Sequence, residues 1–155
     1  MHALVIYDSM YGNTEKIAQA IGAAVGGQVK RVDEVDPAEV GGIDLLIVGS
    51  PTQRFNATST LSDWLERIPE GAITGTRVAA FDTRFKQEKI DTAGPLRFFV
   101  KLWGKSAWAA THIARFLKQK GGTLAAQPEG FYVRDTEGPL YEGELERAAG
   151  WASAL

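Results

Sequence analysis

Residues 3–14, Ala3-Leu4-Val5-Ile6-Tyr7-Asp8-Ser9-Met10-Tyr11-Gly12-Asn13-Thr14, decide the fold. Five consecutive apolar residues followed by polar turn residues read as a strand buried on both faces, the habit of a central strand in a parallel sheet. After Thr14 the period lengthens to that of a helix. Ile17, Ile21, Ala24 and Val25 fall on one face, and Gly26-Gly27 ends the element.

The same alternation continues outward from this unit. Gln28 to Val35 reads as a weaker strand with Val29 and Val32 inward, and Asp36-Pro37-Ala38-Glu39 opens a short helical turn with proline at its first position. Leu45-Leu46-Ile47-Val48-Gly49 is a second buried strand run, ended by Ser50-Pro51. Leu61, Trp64, Leu65 and Ile68 mark the inner face of the next helix. Arg77 to Phe81 is a fourth strand, ending at Asp82-Thr83-Arg84. A further helix carries Ala109, Ile113, Phe116 and Leu117 inward. The fifth strand starts at Thr123, is interrupted by Pro128 and Gly130, and resumes at Phe131-Tyr132-Val133. A last amphipathic helix carries Leu145, Ala149, Ala152 and Leu155. Strands and helices thus alternate about five times, which predicts an α/β three-layer sandwich with one parallel sheet, and residues 1–155 are expected to form one domain.

Composition narrows the chemistry. The 155 residues carry 17 basic and 19 acidic side chains, too balanced for the basic footprint of a general nucleic-acid binder. With no cysteine, disulfide scaffolds, thiolate nucleophiles and cysteine-ligated metals are excluded. The two histidines, His2 and His112, stand in no metal-ligand spacing. The first residues have neither the basic start nor the apolar length of a signal peptide or membrane span, so a cytoplasmic location is expected.

In an open α/β sheet, ligands bind beyond the carboxyl ends of the strands. Three segments qualify: 8–14, 50–57 and 82–86. The first places Ser9, Asn13 and Thr14 around Gly12, where a helix begins. Two readings stand there. In one, Ser9 and Thr14 serve simply as helix caps; in the other, the hydroxyls and unpaired amides cage a phosphate monoester. A Walker loop, a Gly-x-Gly-x-x-Gly fingerprint and a Gly-x-Ser-x-Gly elbow are all absent. A phospho-accepting receiver domain would want a carboxylate ending the third strand, where Ser50 stands.

The run Leu4 to Thr14, with Ala18 and Ile21 behind it, resembles the flavodoxin signature. Val48-Gly49-Ser50-Pro51-Thr52 looks like that family's third-strand exit, and the stretch from Gly138 to Leu145 resembles the approach to its final helix. The resemblance implies a five-stranded sheet of order 2-1-3-4-5 that binds FMN non-covalently and transfers electrons to and from redox partners. It implies that Ser9, Met10, Tyr11, Gly12, Asn13 and Thr14 surround the flavin phosphate. Pro51, Thr52, Gln53, Arg54, Phe55 and Asn56, with Asp82, Thr83, Arg84 and Phe85, would flank the ring, Phe55 and Phe85 being the aromatics available to stack on it. Trp64 is assigned to packing.

One segment departs from an acidic electron carrier. Residues 84–105 hold six basic and two acidic side chains, a solvated face or a basic rim for the flavin site. A basic rim would attract an anionic partner and favour the reduced, anionic flavin. The expected partners are a redox protein or an NAD(P)H-linked reductase. An alternative of the same fold is an FMN-dependent NAD(P)H:acceptor or porphyrinogen-type oxidoreductase, in which Arg84 and the basic segment would orient a nucleotide phosphate or a substrate carboxylate. A third reading is a binding module without cofactor. The apolar residues within 96–108 suggest a packed helix or a self-association surface.

Overall fold

The computed structural model describes residues 1–53, 56–86 and 108–155. Arg54 and Phe55, and the part of the basic and apolar segment from 87 to 107, lie outside the described residues. The sheet is built on β1 (Ala3–Tyr7), β2 (Gln28–Arg31), β3 (Leu45–Pro51) and β4 (Arg77–Phe85), all parallel and in order 2-1-3-4. The fifth position is shared by two segments, β5 (Thr123–Leu124) and β6 (Glu129–Val133), both paired in parallel with β4. The order 2-1-3-4-5 is therefore the one expected, with its last strand broken near Pro128, which has no amide hydrogen to give.

Helices cover both faces, which is why the central strands read as unbroken apolar runs. Leu4, Ile6, Leu46, Val48, Val78 and Ala80 pack on one side with Leu61, Trp64 and Leu65 of α2 (Ser59–Glu66) and Ile113 and Leu117 of α3 (Ala109–Gln119). Val5, Ile47, Ala79, Phe81 and Phe131 pack on the other with Ile17, Ala18 and Ile21 of α1 (Asn13–Val25) and Ala148 and Ala152 of α4 (Glu144–Ser153). Trp64 is a packing residue, as expected, and its indole nitrogen donates to the Val35 carbonyl at 2.8 Å. Glycine is required at position 49, where any side chain would strike the Phe81 ring.

Several boundaries differ from the sequence reading. β2 stops at Arg31, because residues 32–34 turn into a 3₁₀ segment that buries Val32. β4 runs on to Phe85, so Asp82, Thr83, Arg84 and Phe85 sit on strand and not in a loop. Paired to β6 along that length, their side chains alternate faces, and Asp82 and Arg84 share one. On the helices, Ala24 is exposed and Phe116 only half-buried. The inner stripe of α4 is Glu144, Ala148 and Ala152, leaving Leu145 41% exposed. That register follows from the Glu144 carboxylate, which accepts the Tyr132 amide at 2.7 Å and the Arg147 guanidinium at 2.7 Å. Arg147 also donates to the Gly130 carbonyl. Together they satisfy outward-facing backbone of β6 and close that edge of the sheet.

Candidate functional site

The loop after β1 is held from below. The Asp8 amide continues the ladder to the Gly49 carbonyl at 3.1 Å, and its carboxylate accepts from the Ser9 amide at 2.9 Å. The Thr58 hydroxyl donates to the same carboxylate at 2.6 Å while accepting the Leu61 amide at 3.3 Å, tying the loop to the start of α2. Arg31 leaves the end of β2 and donates to Asp8 at 3.2 Å and to the Ser9 carbonyl at 2.7 Å. The loop itself has no basic residue, but the sheet order brings a cation to its base from 22 positions away.

These bonds set aside the reading of Ser9 and Thr14 as helix caps. Among the described residues no side chain caps α1. The Ser9 Oγ accepts the Gly12 amide at 3.0 Å, one residue ahead of the helix, and the Thr14 hydroxyl pairs with the Thr83 hydroxyl at 2.8 Å. Gly12 takes φ +90°, a left-handed turn that costs an L-residue about 1–2 kcal/mol. The first-turn amides of α1 are therefore open toward the strand ends, where the partial positive charge of the helix favours an anion.

The opposite wall comes from β3 and β4. The Thr52 amide donates to the Thr83 carbonyl at 3.0 Å, and Gln53 and Asn56 exchange backbone bonds at 2.7 and 2.8 Å. The Gln53 side-chain amide reaches the sulfur of Met10, joining this segment to the first loop. Asp82 is fully buried and receives both Nε and Nη2 of Arg84, at 2.6 and 2.8 Å. Burial pushes the Asp82 carboxyl above its usual range, while Arg84, the Ala110 amide and Thr52 pull it back. The Arg84 guanidinium lies over the Trp108 ring, 4.3 Å from its centroid. It is thus engaged by Asp82 and Trp108.

Between the walls lies a cleft. Of the residues expected there, Ser9, Met10, Tyr11, Asn13, Thr14, Pro51, Thr52, Gln53, Thr83, Arg84 and Phe85 line it. Gly12, Asn56 and Asp82 stand behind the lining and shape it through the backbone turn, the exchange with Gln53 and the grip on Arg84. Trp108, Val133 and Thr136 also line the cleft, which the sequence reading did not anticipate. Trp108 was grouped with the apolar 96–108 stretch, yet it is 8% exposed and forms part of the cleft wall. The position of Val133 and Thr136 at the end of the last strand was the signal available for them.

A sequence model of the flavodoxin family matches residues 5–137. The chain belongs to the flavodoxin family. A flavodoxin of Picosynechococcus sp. is 41% identical over 64 residues, an alignment that spans 39% of this chain and only 36% of that relative. Among solved structures, oxidised Flavodoxin 2 from Bacillus cereus superposes with a TM-score of 0.76 at 22% identity, covering 99% of this chain and 97% of that one. Oxidised Flavodoxin 1 from the same organism gives a TM-score of 0.74 at 16% identity, covering 99% and 96%. At such identities the likeness is one of fold. Among the described residues no helix is long and apolar enough to cross a membrane.

Proposed function

We propose that the chain binds FMN in the cleft at the strand ends and acts as an electron carrier. The observation that carries this reading is the uncapped start of α1, opening onto a cleft walled by Pro51, Phe85 and Trp108. A phosphate monoester fits the first loop, since open amides and the Ser9, Asn13 and Thr14 side chains offer neutral donors, while Arg31, paired with Asp8, braces the loop from beneath. A planar, mostly apolar ring fits between the 51–53 and 83–85 segments, with Arg54 and Phe55 assigned to the same wall by sequence.

Bound FMN would supply the redox chemistry. The chain's own residues anchor the phosphate, orient the ring and keep water from its inner face. Thr83 links the two halves of the site, with its hydroxyl on Thr14 and its carbonyl on the Thr52 amide. No side chain is required as a general acid or base. The electron partner is proposed to be a redox protein or an NAD(P)H-linked reductase. The bidentate bond of Arg84 to Asp82 favours the carrier over the substrate-reducing alternative, which assigns a substrate anion to that guanidinium together with the basic segment.

The test is the visible spectrum of freshly purified protein, repeated after loading with FMN and removing the excess. Retained flavin absorption supports the reading; no retained flavin and no tight binding in titration would sink it and leave a binding module without cofactor. Mixing the loaded protein with NADPH alone then separates the roles. A carrier is reduced only when a separate reductase is added.

A further inference from the structure

Arg84 is held in place from three parts of the chain, by Asp82, Trp108 and Gly130. It follows Asp82 by two positions on β4, so both side chains leave the same face of the strand. Their bonds form a two-pronged fork, at 2.6 and 2.8 Å. Trp108 lies against the guanidinium, and Gly130 of β6 lies under it, where a side chain would strike Arg84 Nε and Cζ. The Asp82 carboxylate also accepts the Ala110 amide at 2.9 Å, at the start of α3. The Arg84 side chain is 14% exposed and that of Asp82 is 0% exposed, so water screens the pair weakly.

Such a fixture is more than stability asks for. A buried ion pair is on average no more stabilising than well-packed apolar residues of the same size. Its distinguishing property here is electrical, because Arg84 lines the cleft while the balancing charge sits behind it. A bare cation in that wall would favour a ligand that gains negative charge; a cation already paired does so far less.

We infer that Asp82 is a positioning residue that holds Arg84 as a charge-balanced wall of the cleft, and that this pairing keeps the reduction potential of the bound flavin below the value an unpaired arginine would impose. The inference rests on the FMN reading above. It concerns only how strongly the flavin accepts electrons, here supplied by dithionite in a potentiometric titration.

The experiment compares FMN-loaded wild type with Asp82→Asn, Arg84→Gln and the double variant. Affinity for oxidised FMN is measured alongside each midpoint potential. Asp82→Asn, which leaves the cation unbalanced, is expected to raise the midpoint. Arg84→Gln leaves the anion and lowers it, and the double variant returns toward wild type. A merely structural pair would lower the melting temperature of each variant without moving the potential in opposite directions. If Asp82→Asn does not fold, Gly130→Ala is read in its place. Its added methyl group pushes Arg84 off its seat while both charges remain, and a raised midpoint is again expected. A flavin-loaded Asp82→Asn, or Gly130→Ala in its stead, with the wild-type potential overturns this inference and leaves the FMN reading standing. A wild type that binds no FMN brings down both.

Discussion

Two helices, α1 and α3, begin at the carboxyl edge of the same sheet and beside the same cleft, yet their first turns are finished in different ways. The Ala109 and Ala110 amides of α3 donate to the Thr52 hydroxyl at 3.3 Å and to the Asp82 carboxylate at 2.9 Å. That helix receives its anion from within the protein. α1 has no side-chain cap, and its one first-turn carboxylate, Glu15, accepts the Tyr7 hydroxyl at 2.8 Å. The positive end of α1, in the proposed reading, takes the flavin phosphate instead. Two helix ends of similar chemistry thus differ in whether the neighbouring strands place an acceptor over their first amides.

The largest expected effect breaks the binding side of this comparison. Ser9→Ala with Thr14→Ala removes two hydroxyls from the open end while leaving its backbone. At about 1.5–3 kcal/mol for each hydrogen bond to a charged group, FMN affinity should fall on the order of a hundredfold or more. Fluorescence titration measures the loss, and an unchanged circular dichroism spectrum shows that the fold persists. Unaltered affinity would mean that the open amides alone hold the phosphate, or that no phosphate binds there.

Asp82→Ala breaks the architectural side. It takes the internal anion from α3 and leaves Arg84 without its carboxylate. Removing one member of a buried pair costs about 3–5 kcal/mol. Urea denaturation should show this as a lower midpoint, whether or not FMN is present. A loss under about 1 kcal/mol would mean that water reaches the pair and screens it.

How much of this contrast was readable beforehand depends on how local each interaction is. β1, β3 and the Ser9–Thr14 loop were legible because a buried parallel strand writes a continuous apolar run, and a ligand loop at a helix start keeps its chemistry within a few residues. Arg31 beneath Ser9, and Trp108 and Thr136 at the cleft, were not, because each arrives through sheet order from a distant segment. The Asp82–Arg84 pair is a nearer miss. Two residues apart on a strand they must share a face, but ending β4 at Phe81 hid that geometry. On α4 the apolar residues pointed to Leu145, whereas a paired glutamate, Glu144, takes the inner position.

Glu144 supplies a smaller effect with a defined pH dependence. Burial alone would raise its carboxyl, but the Arg147 and Tyr132 bonds and the nearby charge of Lys86 outweigh that and hold it below the usual range. A carboxylate depressed by folding adds stability that is fully present above its unfolded pKa and is lost as pH falls through the folded one. Glu144→Gln should therefore cost about 1.5–3 kcal/mol at neutral pH, from the weakened bonds to Arg147 and Tyr132. The gap from wild type should close as pH drops below about 4. FMN affinity should not change, since this anion serves the sheet edge and not the cleft. A gap that stayed constant into acid would assign the loss to packing and not to charge.

The smallest effect tests why α1 lacks an anion of its own. Burial and the bond to Glu15 push the Tyr7 hydroxyl up to about 12. A tyrosine raised by folding contributes stability that is present below its unfolded pKa of about 10 and is lost as pH climbs through the folded value. Tyrosinate absorbance should accordingly show one late-ionising group that vanishes in Tyr7→Phe. That variant loses one hydrogen bond, about 0.5–1.5 kcal/mol of stability. It also releases Glu15, whose carboxylate can then turn toward the open helix end and repel a phosphate there. FMN binding should weaken a few-fold in Tyr7→Phe and recover when Glu15→Gln is added. If the second change restores nothing, Tyr7 acts only as a core residue, and the open amides of α1 are set by Gly12 and the loop backbone alone.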